Sequence, residues 1–413
     1  MFSFCKPVSS KKRFLPQRKI NEQFSFSLYE KAAQLPAEEW DSISGKQTLF
    51  LERGYLQIIE GCGFNTLIPR YVILYHNQKP CGILYFQITD FKAGVFGDLL
   101  SNQVEAIKSK RLNLFEKYID SNKHEVLLRL FTCGNNLVSG EYGFLFDKKI
   151  KEKEAHELLL EVIDVVSREE KLRGSISAIL IKDFNQSLKP KKLFEACKFQ
   201  DFLVEPNLVV ELPEGLHSVD EYIQLFSKKY RNRAKSIFKS FEGVEVRELT
   251  YDEVLQHEAQ IYSLYSEIFE QARFKLLKLP ATYFSSVKAL YPEQFKVKAF
   301  FKEGQMLAFG SCFVHHHGCL EAHYIGLDYT HNTTYNLYQN MLYTMIGEAI
   351  KQGVRQVNLG RTAAEIKTTV GAKAKDLICY IKPQNTISRI IQKPFITFLQ
   401  PGEWTPRNPF KEG

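Results

Sequence analysis

One helix constrains the fold of this chain more than any other feature. In residues 334–351 apolar side chains recur at alternating spacings of three and four, the repeat of a helix with one buried face. They are Tyr338, Met341, Leu342, Met345, Ile346, Ala349 and Ile350. An apolar run at 320–327 precedes this helix and a short one at 356–359 follows it. The helix is therefore expected to pack on a sheet within a strand–helix–strand unit.

The same order of elements occurs earlier in the chain. Residues 71–88 are predicted to form two strands joined by a polar hairpin turn, 151–173 a charged amphipathic helix, and 176–181 a buried strand. Residues 296–314 form the corresponding hairpin of the second half. We therefore predict an α/β (α+β) fold of two tandem domains with a cleft between them. Each domain is expected to be a mixed, largely antiparallel sheet flanked by helices.

The length of 413 residues also favours two domains, because single domains usually hold about 100–200 residues. The predicted organisation is a basic flexible arm over 1–21, an N-terminal domain over 22–204 and a C-terminal catalytic domain over 205–383. An amphipathic tail over 384–413 completes it.

Composition excludes general disorder, since 44% of the residues are hydrophobic and 25% are charged. The net charge of +8 fits an acidic ligand such as a CoA or carrier-protein thioester, tRNA or anionic lipid. An enzyme without a polyanionic partner could carry the same charge. Composition therefore does not choose between these partners.

The cysteines and the apolar runs indicate a cytoplasmic protein. The eight cysteines include no C-x-x-C pair, which is typical of reduced, buried thiols. No apolar stretch reaches the roughly 18 residues of a spanning helix, and the basic start is not followed by a signal-peptide core. We therefore expect neither a signal peptide nor a transmembrane anchor.

Polar residues follow both strands of the strand–helix–strand unit. Thr333 and Thr334 stand at the predicted helix start, where free backbone N–H groups can bind phosphate or simply be capped. Arg361 follows the strand at 356–359 and can grip a phosphate or carboxylate with two hydrogen bonds. Lys367 supplies a point charge, and Glu365 can act as a base. A surface salt-bridge cluster is the alternative interpretation.

Four segments of the second half carry a resemblance to a known family, namely Tyr324-Ile-Gly326, 335–343, 349–353 and Leu359-Gly-Arg361…Glu365-Ile-Lys367…Gly371. They resemble the FemAB-like branch of the GNAT superfamily of N-acyltransferases, which includes lipid-amine N-acyltransferases. The resemblance implies two GNAT-like domains and transfer of an acyl or aminoacyl group to an amine. It also implies that Arg361, Glu365, Lys367 and Gly371 are site residues, of which we expect Glu365 to be catalytic and the others to bind the donor or substrate. Gly360, Thr333, Thr334 and Asn336 are further candidates for binding the donor or substrate.

Two departures from the family narrow the donor. Residues 328–334 lack the glycines of the pyrophosphate loop, which argues against acetyl-CoA. Residues 240–295 lack a long helical arm, which argues against aminoacyl-tRNA. The preferred co-substrate is a fatty-acyl thioester of CoA or of acyl carrier protein, with no permanently bound cofactor. The acceptor is an amine, including a sphingoid-type amino-lipid.

Two other functions remain open. One is a FemAB-type aminoacyl transferase that uses aminoacyl-tRNA in peptidoglycan cross-bridge synthesis. The other is a non-catalytic binding module that has kept the fold.

Two residues of the strand at 320–327 are catalytic candidates. Strand alternation puts His323 and Glu321 on one face and Tyr324 on the other. A cleft-facing His323 could accept the proton of the amine, and Tyr324 could donate one to the leaving thiol. Packing within the strand explains each residue equally well. The histidine run at 315–317 is interpreted as a hairpin tip, and no metal site is predicted.

Two amphipathic segments suggest surfaces for partners. In the predicted helix 221–241, Lys228, Arg231, Lys235 and Lys239 form a stripe that either docks an acidic partner or is merely solvated. The tail combines Ile387, Ile390, Ile391, Phe395, Ile396, Phe398 and Leu399 with Arg389 and Lys393. It either lies on the inner face of the cytoplasmic membrane or packs on its own domain. The glycine-rich residues 133–143 match no phosphate loop and are interpreted as a turn.

Overall fold

A computed structural model describes residues 17–45, 48–64, 66–92, 127–185, 190–272, 276–315 and 318–411. The strands are β1 (Arg18–Lys19), β2 (Phe24–Tyr29), β3 (Leu67–His76), β4 (Lys79–Lys92), β5 (Leu127–Cys133), β6 (Phe144–Phe146), β7 (Ala178–Asn185), β8 (Gln200–Glu211), β9 (Glu245–Glu248), β10 (Phe295–Lys302), β11 (Gln305–His315), β12 (Cys319–Leu327), β13 (Gln356–Asn358) and β14 (Lys373–Pro383). The helices are α1 (Ala37–Ser44), α2 (Arg53–Gly61), α3 (Glu152–Arg173), α4 (Lys191–Ala196), α5 (Val219–Gln224), α6 (Lys228–Ser240), α7 (Tyr251–Gln256), α8 (Glu258–Gln271), α9 (Tyr283–Leu290), α10 (Tyr329–Tyr335), α11 (Leu337–Lys351), α12 (Ala364–Thr368) and α13 (Thr386–Leu399).

The described strands form one continuous sheet. Their order is β1-β2-β3-β4-β5-β7-β14-β8-β13-β12-β11-β10-β9, with β6 beside β4. Two pairs are parallel, β5 with β7 and β12 with β13, and the other described pairs are antiparallel. A long helix connects the strands of each parallel pair, α3 in the first half and α11 in the second. The predicted α/β fold with a largely antiparallel sheet flanked by helices is confirmed.

The two halves meet through strands that pair across the predicted domain boundary. The last strand, β14, lies between β7 and β8, and β8 also pairs with β13. We call these four strands the seam. The predicted boundary between residues 204 and 205 falls within β8, at a bulge where Glu205 and Pro206 lie opposite Asp376 alone. Pro206 has no N–H to pair, so a bulge is the place where a central strand tolerates it.

The predicted hairpin of the first half is confirmed as β3 and β4. Its two turn residues, Asn77 and Gln78, have φ values of 47° and 66°. Two successive left-handed residues are the signature of a type I′ turn, whose twist matches that of the strands.

The predicted helix at 334–351 begins three residues later than expected. Asn336 has a left-handed φ of 47°, which separates α10 from α11. Residues 329–335 form a helix of their own, so the expectation that Thr333 and Thr334 stand at a helix start was wrong. The buried face of α11 is confirmed, because Met341, Met345 and Ile346 are buried.

The predicted helix at 221–241 is two helices, α5 and α6. The backbone N–H of Ser227 donates to the carbonyl of Pro409 at 2.8 Å, and Phe226 forms a β-bridge with Phe410. The C-terminal segment therefore takes backbone groups that a continuous helix would use. Local periodicity could not show this contact, because its partner lies about 180 residues away in the sequence.

The C-terminal tail packs on its own sheet along its described apolar side chains. Phe395, Ile396 and Phe398 of α13 are buried, and the helix lies against β8 and β14. The side chains of residues 387, 390 and 391 lie outside the described part of the chain, as do residues 1–16 of the predicted basic arm. No helix among the described residues is long and apolar enough to cross a membrane.

Candidate active site at the seam

A bulge in β12 sets the position of both strand residues proposed as catalytic. Gly310 pairs with Ile325 and Cys312 with Ala322, so that Ser311 alone faces His323 and Tyr324. The Ser311 hydroxyl donates to the Tyr324 carbonyl at 2.7 Å and accepts from its N–H at 3.1 Å.

The bulge interrupts strand alternation, so both rings lie on the same side of the sheet. The centroids of the His323 and Tyr324 rings lie 5.7 and 6.2 Å from that of Tyr283. The expectation that His323 and Tyr324 face opposite sides was wrong.

His323 is held in a network of aromatic side chains between the halves. Its Nε2 lies 2.6 Å from the Tyr283 hydroxyl, which lies 3.0 Å from the hydroxyl of Tyr55 in the first half. Burial, with a smaller contribution from His315, lowers the pKa of His323 to about 3. The imidazole is therefore neutral at physiological pH but binds a proton weakly, which suits hydrogen bonding better than general-base catalysis.

This pKa gives a direct test by histidine NMR. We expect the His323 ring to stay neutral from pH 8 down to about pH 4, whereas an unperturbed histidine titrates near 6.5. The unfolded chain binds this proton more readily, so His323 contributes a loss of stability as pH falls from about 6.5 towards 3. A transition of His323 near pH 6.5 would contradict the burial described here.

The hydroxyl of Tyr324 donates a hydrogen bond to the first half of the chain. The acceptor is the carbonyl of Leu137, at 2.7 Å. Burial, followed by the effect of Tyr265, raises the pKa of Tyr324 well above its usual value. The phenol is therefore neutral, and in this structure its proton anchors a loop of the other half.

That loop, residues 134–143, connects β12 to the seam. Tyr142 donates its hydroxyl proton to Glu321 at 2.8 Å, and the Gly140 N–H donates to Asp183 at 3.0 Å. Sequence analysis interpreted this segment as a turn and missed its contribution. The density of glycines was the available signal, because Gly140 has a φ of 143°, which an L side chain rarely adopts.

A buried ion pair joins the halves at the seam. Asp183 at the end of β7 is fully buried and contacts the Arg361 guanidinium, which follows β13. Lys182 Nζ lies 3.3 Å from the same carboxylate. Burial alone would raise the pKa of Asp183, but Arg361 and Lys182 outweigh it and lower the pKa to about 2. Asp183 is therefore ionised, and its charge holds two partly buried cations.

Arg361 has hydrogen-bonding capacity left over. Its Nε is buried and has no hydrogen-bond partner among the residues that the structure describes. A buried N–H without a partner is costly, and such groups concentrate where a ligand completes the bonding. The predicted role of Arg361 in gripping an anion is therefore compatible with its position, although one side of the guanidinium is already paired with Asp183.

Backbone strain is concentrated around this ion pair. Asp183, Thr362 and Ala363 have φ values of 61°, 64° and 48°. A left-handed conformation is unusual for residues other than glycine, and for the β-branched Thr362 it is a clear outlier. Strained residues cluster at functional sites because the surrounding structure must hold them in place.

Lys367 lies beside the strained turn and is 4% exposed. Its Nζ donates to the carbonyl oxygens of Arg361 and, at 3.3 Å, of Gly360. Burial lowers the pKa of Lys367 to about 7, and Glu205 opposes that shift only in part. Two N–H groups of Lys367 are thus bound to carbonyls. The remaining position on Nζ holds a lone pair when the amine is neutral and a proton when it is charged.

Glu141 is a second group near the seam that titrates close to neutral pH. Burial, aided by Asp183 and Glu152, raises the pKa of Glu141 to about 7. A carboxyl and an amine with pKa values near 7 are the groups expected at an acid–base site.

Other predicted site residues lie outside this cluster. Thr333 and Thr334 are exposed within α10, whose start is capped by Asp328, so their N–H groups are not at a helix start. The Asn336 side chain donates to the Ser240 hydroxyl at 2.9 Å. Glu365 is half-exposed and pairs with Arg407, which suits a surface contact better than a base.

The two predicted glycines both have left-handed backbones, with φ values of 72° for Gly360 and 99° for Gly371. Gly360 presents its carbonyl to Lys367. A Cβ on Gly371 would meet the Tyr222 hydroxyl at 2.3 Å and the Phe410 ring at 2.8 Å. Gly371 therefore makes room for the C-terminal segment.

Of the three histidines at 315–317, the structure describes the first. His315 ends β11, is buried, and lies 3.3 Å from Glu321 through its Nε2. It is therefore within a strand rather than at a hairpin tip. His316 and His317 lie outside the described residues.

A groove of about 760 Å³ lies between α3, α4 and the start of α13, and it reaches Ile179 of β7 and Lys382 and Pro383 of β14. Asp183, Arg361 and Lys367 do not line it. We place the candidate site at the seam because the strained backbone, the buried charges and the groups with pKa values near 7 are found there.

Comparison with known proteins identifies the architecture. No family model matches the chain, and no curated protein matches its sequence. The crystal structure of FemX is similar with a TM-score of 0.51 at 11% identity, covering 89% of this chain and 99% of FemX. The chain has a FemX-like fold.

Two GNAT structures are similar over comparable lengths. A tandem GNAT protein from the clavulanic acid biosynthesis pathway has a TM-score of 0.48 at 7% identity, covering 87% of this chain and 98% of that protein. A GCN5-related N-acetyltransferase from Sphaerobacter thermophilus has a TM-score of 0.41 at 9% identity, covering 88% and 97%. At such identities the likeness concerns the fold alone.

Proposed function

We propose that this FemX-like chain is an acyltransferase that moves an acyl group from an activated donor to an amine at the seam. The observation that carries the proposal is Lys367, a buried amine with a pKa of about 7 whose carbonyl contacts leave one position on nitrogen open. The buried pair of Arg361 and Asp183 and the strained turn at 362–363 lie next to it.

The chemistry needs a group that takes a proton from the amine and returns one to the leaving group. Neutral Lys367 accepts the proton of the acceptor ammonium, directly or through one water. The freed amine attacks the acyl carbonyl, so that a C–N bond forms and the C–S bond of a thioester breaks. The thiolate then takes the proton from Lys367, and the nitrogen of the new C–N bond releases its second proton to water, which leaves a neutral amide and a thiol. Neither step requires a covalent enzyme intermediate.

For the donor we propose a fatty-acyl thioester of CoA or of acyl carrier protein. The Nε of Arg361 suits an anionic group of the donor or the acceptor, because a guanidinium binds carboxylate and phosphate oxygens well. The acceptor class includes amino-lipids of the sphingoid type, and we place the enzyme in the cytoplasm or on the inner face of the membrane.

Aminoacyl transfer from tRNA is the second candidate, and the likeness to FemX favours it. The carbonyl chemistry is the same, with a ribose hydroxyl as the leaving group. Against it, the described residues between β9 and β10 contain only the short helices α7, α8 and α9, of which the longest has 14 residues. These helices pack on the domain and do not form an extended arm for RNA.

One titration series separates the two donors. A tRNA-binding enzyme contacts several phosphates, so its affinity falls by orders of magnitude between about 50 and 200 mM salt. Affinity for an acyl thioester instead rises with chain length, by up to ~0.8 kcal/mol for each buried methylene. We expect the second pattern with acyl-CoA species of two to sixteen carbons. Tight, salt-sensitive binding of tRNA, together with an affinity for acyl-CoA that does not depend on chain length, would establish the aminoacyl alternative.

A further inference from the structure

The helix α6 carries an unusual concentration of positive charge. Residues 222–241 contain no acidic residue but hold six cations, namely Lys228, Lys229, Arg231, Arg233, Lys235 and Lys239. The chain as a whole carries a net charge of +8, so this one segment accounts for most of it. No ion pair within the described part of the chain involves any of the six.

This arrangement works against the helix itself. Lys228 and Lys229 occupy the first turn, where the helix dipole favours anions and disfavours cations. Arg231, Lys235 and Lys239 follow each other at intervals of four residues, and like charges at that spacing repel. The segment is therefore not optimised for helix stability, and an acidic surface laid on it would remove the repulsion.

One end of α6 packs on the break between α10 and α11, and its other end follows Ser227, which binds the C-terminal segment that packs on Gly371. The Ser240 hydroxyl of α6 accepts from Asn336 at 2.9 Å, and the Ile237 carbonyl accepts from Asn340 at 3.2 Å. At the same end, Lys302 lies 6.0 Å above the Tyr335 ring. The stripe of Lys228, Arg231, Lys235 and Lys239, here called the cation row, thus runs outward from the break between α10 and α11. At 1.5 Å per residue the row is about 16 Å long.

We propose that the cation row docks an acidic helix of an acyl carrier protein, which delivers the acyl donor as a thioester. The inference rests on the proposed function. An acidic helix presents carboxylates at the same three- and four-residue spacing as the row, so successive charges can pair along one line.

Other anionic partners fit this surface less well. A tRNA spreads its phosphates over an extended area, whereas most of the net charge of this chain lies on one short helix. A membrane surface would favour exposed apolar side chains between the cations, but the exposed residues there are Asn232 and Ser236. A compact acidic protein partner matches both observations.

The test compares two donors that carry the same acyl group. The variant Lys228→Glu/Lys235→Glu is assayed with octanoyl acyl carrier protein and with octanoyl-CoA, and its affinity for fluorescently labelled holo acyl carrier protein is measured at about 50 and 200 mM salt. We expect KM for the carrier-protein donor to rise about 10-fold or more, and KM for octanoyl-CoA to change less than about 2-fold. Because the new glutamates relieve repulsion within α6, Tm should stay the same or rise.

The control variant is Lys148→Glu/Lys149→Glu, which makes the same change of charge at two exposed lysines of the first half. It should leave both donors unaffected. Equal effects of the α6 variant on both donors, no effect on either, or loss of tRNA binding in place of carrier-protein binding would each overturn the docking proposal. If the unaltered protein turns over neither thioester, the proposed function fails, whereas the affinity measurement still decides whether the row binds an acidic carrier.

Discussion

Replacing Lys367 by methionine is expected to lower kcat/KM for acyl transfer by about 100-fold or more, because positioned acid–base groups contribute roughly 10²–10⁴-fold. Methionine keeps the length of the side chain but can neither accept a proton nor carry a charge. The wild-type rate should rise with pH up to about 7, as Lys367 becomes neutral. The measurement is the pH profile of kcat/KM. In the variant, kcat/KM should no longer rise with pH up to about 7.

Lys367 also gives a stability signature that is independent of turnover. Its pKa is lower in the folded chain than in the unfolded chain, so the unfolded state binds more protons between about pH 7 and 10.5. The free energy of unfolding should therefore gain a contribution that grows with pH across this window, by at most about 5 kcal/mol. In the methionine variant that contribution should be absent.

Lys288 provides a matched control. It is equally buried at 4% exposure, and its Nζ donates to the carbonyls of Pro292 at 2.8 Å and Phe295 at 2.9 Å. Burial lowers its pKa as well. Lys288→Met should change stability and its pH dependence but leave kcat/KM within about 3-fold. If both variants lose activity to the same extent, Lys367 has no special role and the proposed mechanism is wrong.

Asp183→Asn is expected to destabilise the protein by about 3 kcal/mol, because it leaves the partly buried Arg361 and Lys182 without their counter-charge. Asparagine has the shape of aspartate and tolerates the left-handed backbone at this position, so the change removes little besides the charge. Equilibrium unfolding in urea gives the free energy. The carboxylate has a lowered pKa, so its contribution is present above about pH 4 and lost as pH falls towards 2.

The exposed pair of Arg355 and Glu214 is the control for this experiment. Glu214→Gln should cost no more than about 1 kcal/mol, because water screens a surface pair. In a double-mutant cycle, Asp183→Asn should cost much less when Arg361 is already methionine, since one buried cation is then missing. Similar losses for Asp183→Asn and Glu214→Gln, or additive effects in the cycle, would contradict a buried pair that couples the halves.

Because Arg361 pairs with Asp183, replacing Arg361 is expected to change more than ligand binding. Arg361→Ala would be expected from sequence to impair ligand binding with the fold intact. In the structure Arg361 is also one of the two cations that balance the buried Asp183 carboxylate, so its removal destabilises the seam as well. Both hydrogen-bond acceptors described for the Lys367 amine are backbone carbonyls, which makes Lys367 the cleaner probe of function.

Local sequence patterns determined much of the architecture. The spacing of apolar residues located the face of α11, the alternation around a polar turn located β3 and β4, and their recurrence predicted two similar halves. The segment from Arg361 to Gly371 was singled out for the same reason, since its charged residues follow a buried strand. These features depend on neighbours within about ten residues, so the sequence alone contains them.

Only the tertiary structure decided how the halves meet and which of those residues are buried. The bulge opposite Ser311 turned His323 and Tyr324 to one side, and no local pattern marks it. The pairing of Asp183 with Arg361 joins residues about 180 positions apart, and the pKa of Lys367 follows from burial that its own segment does not reveal. Charge states depend on the dielectric and partners that packing supplies, and packing between distant segments is not written in any short stretch of sequence.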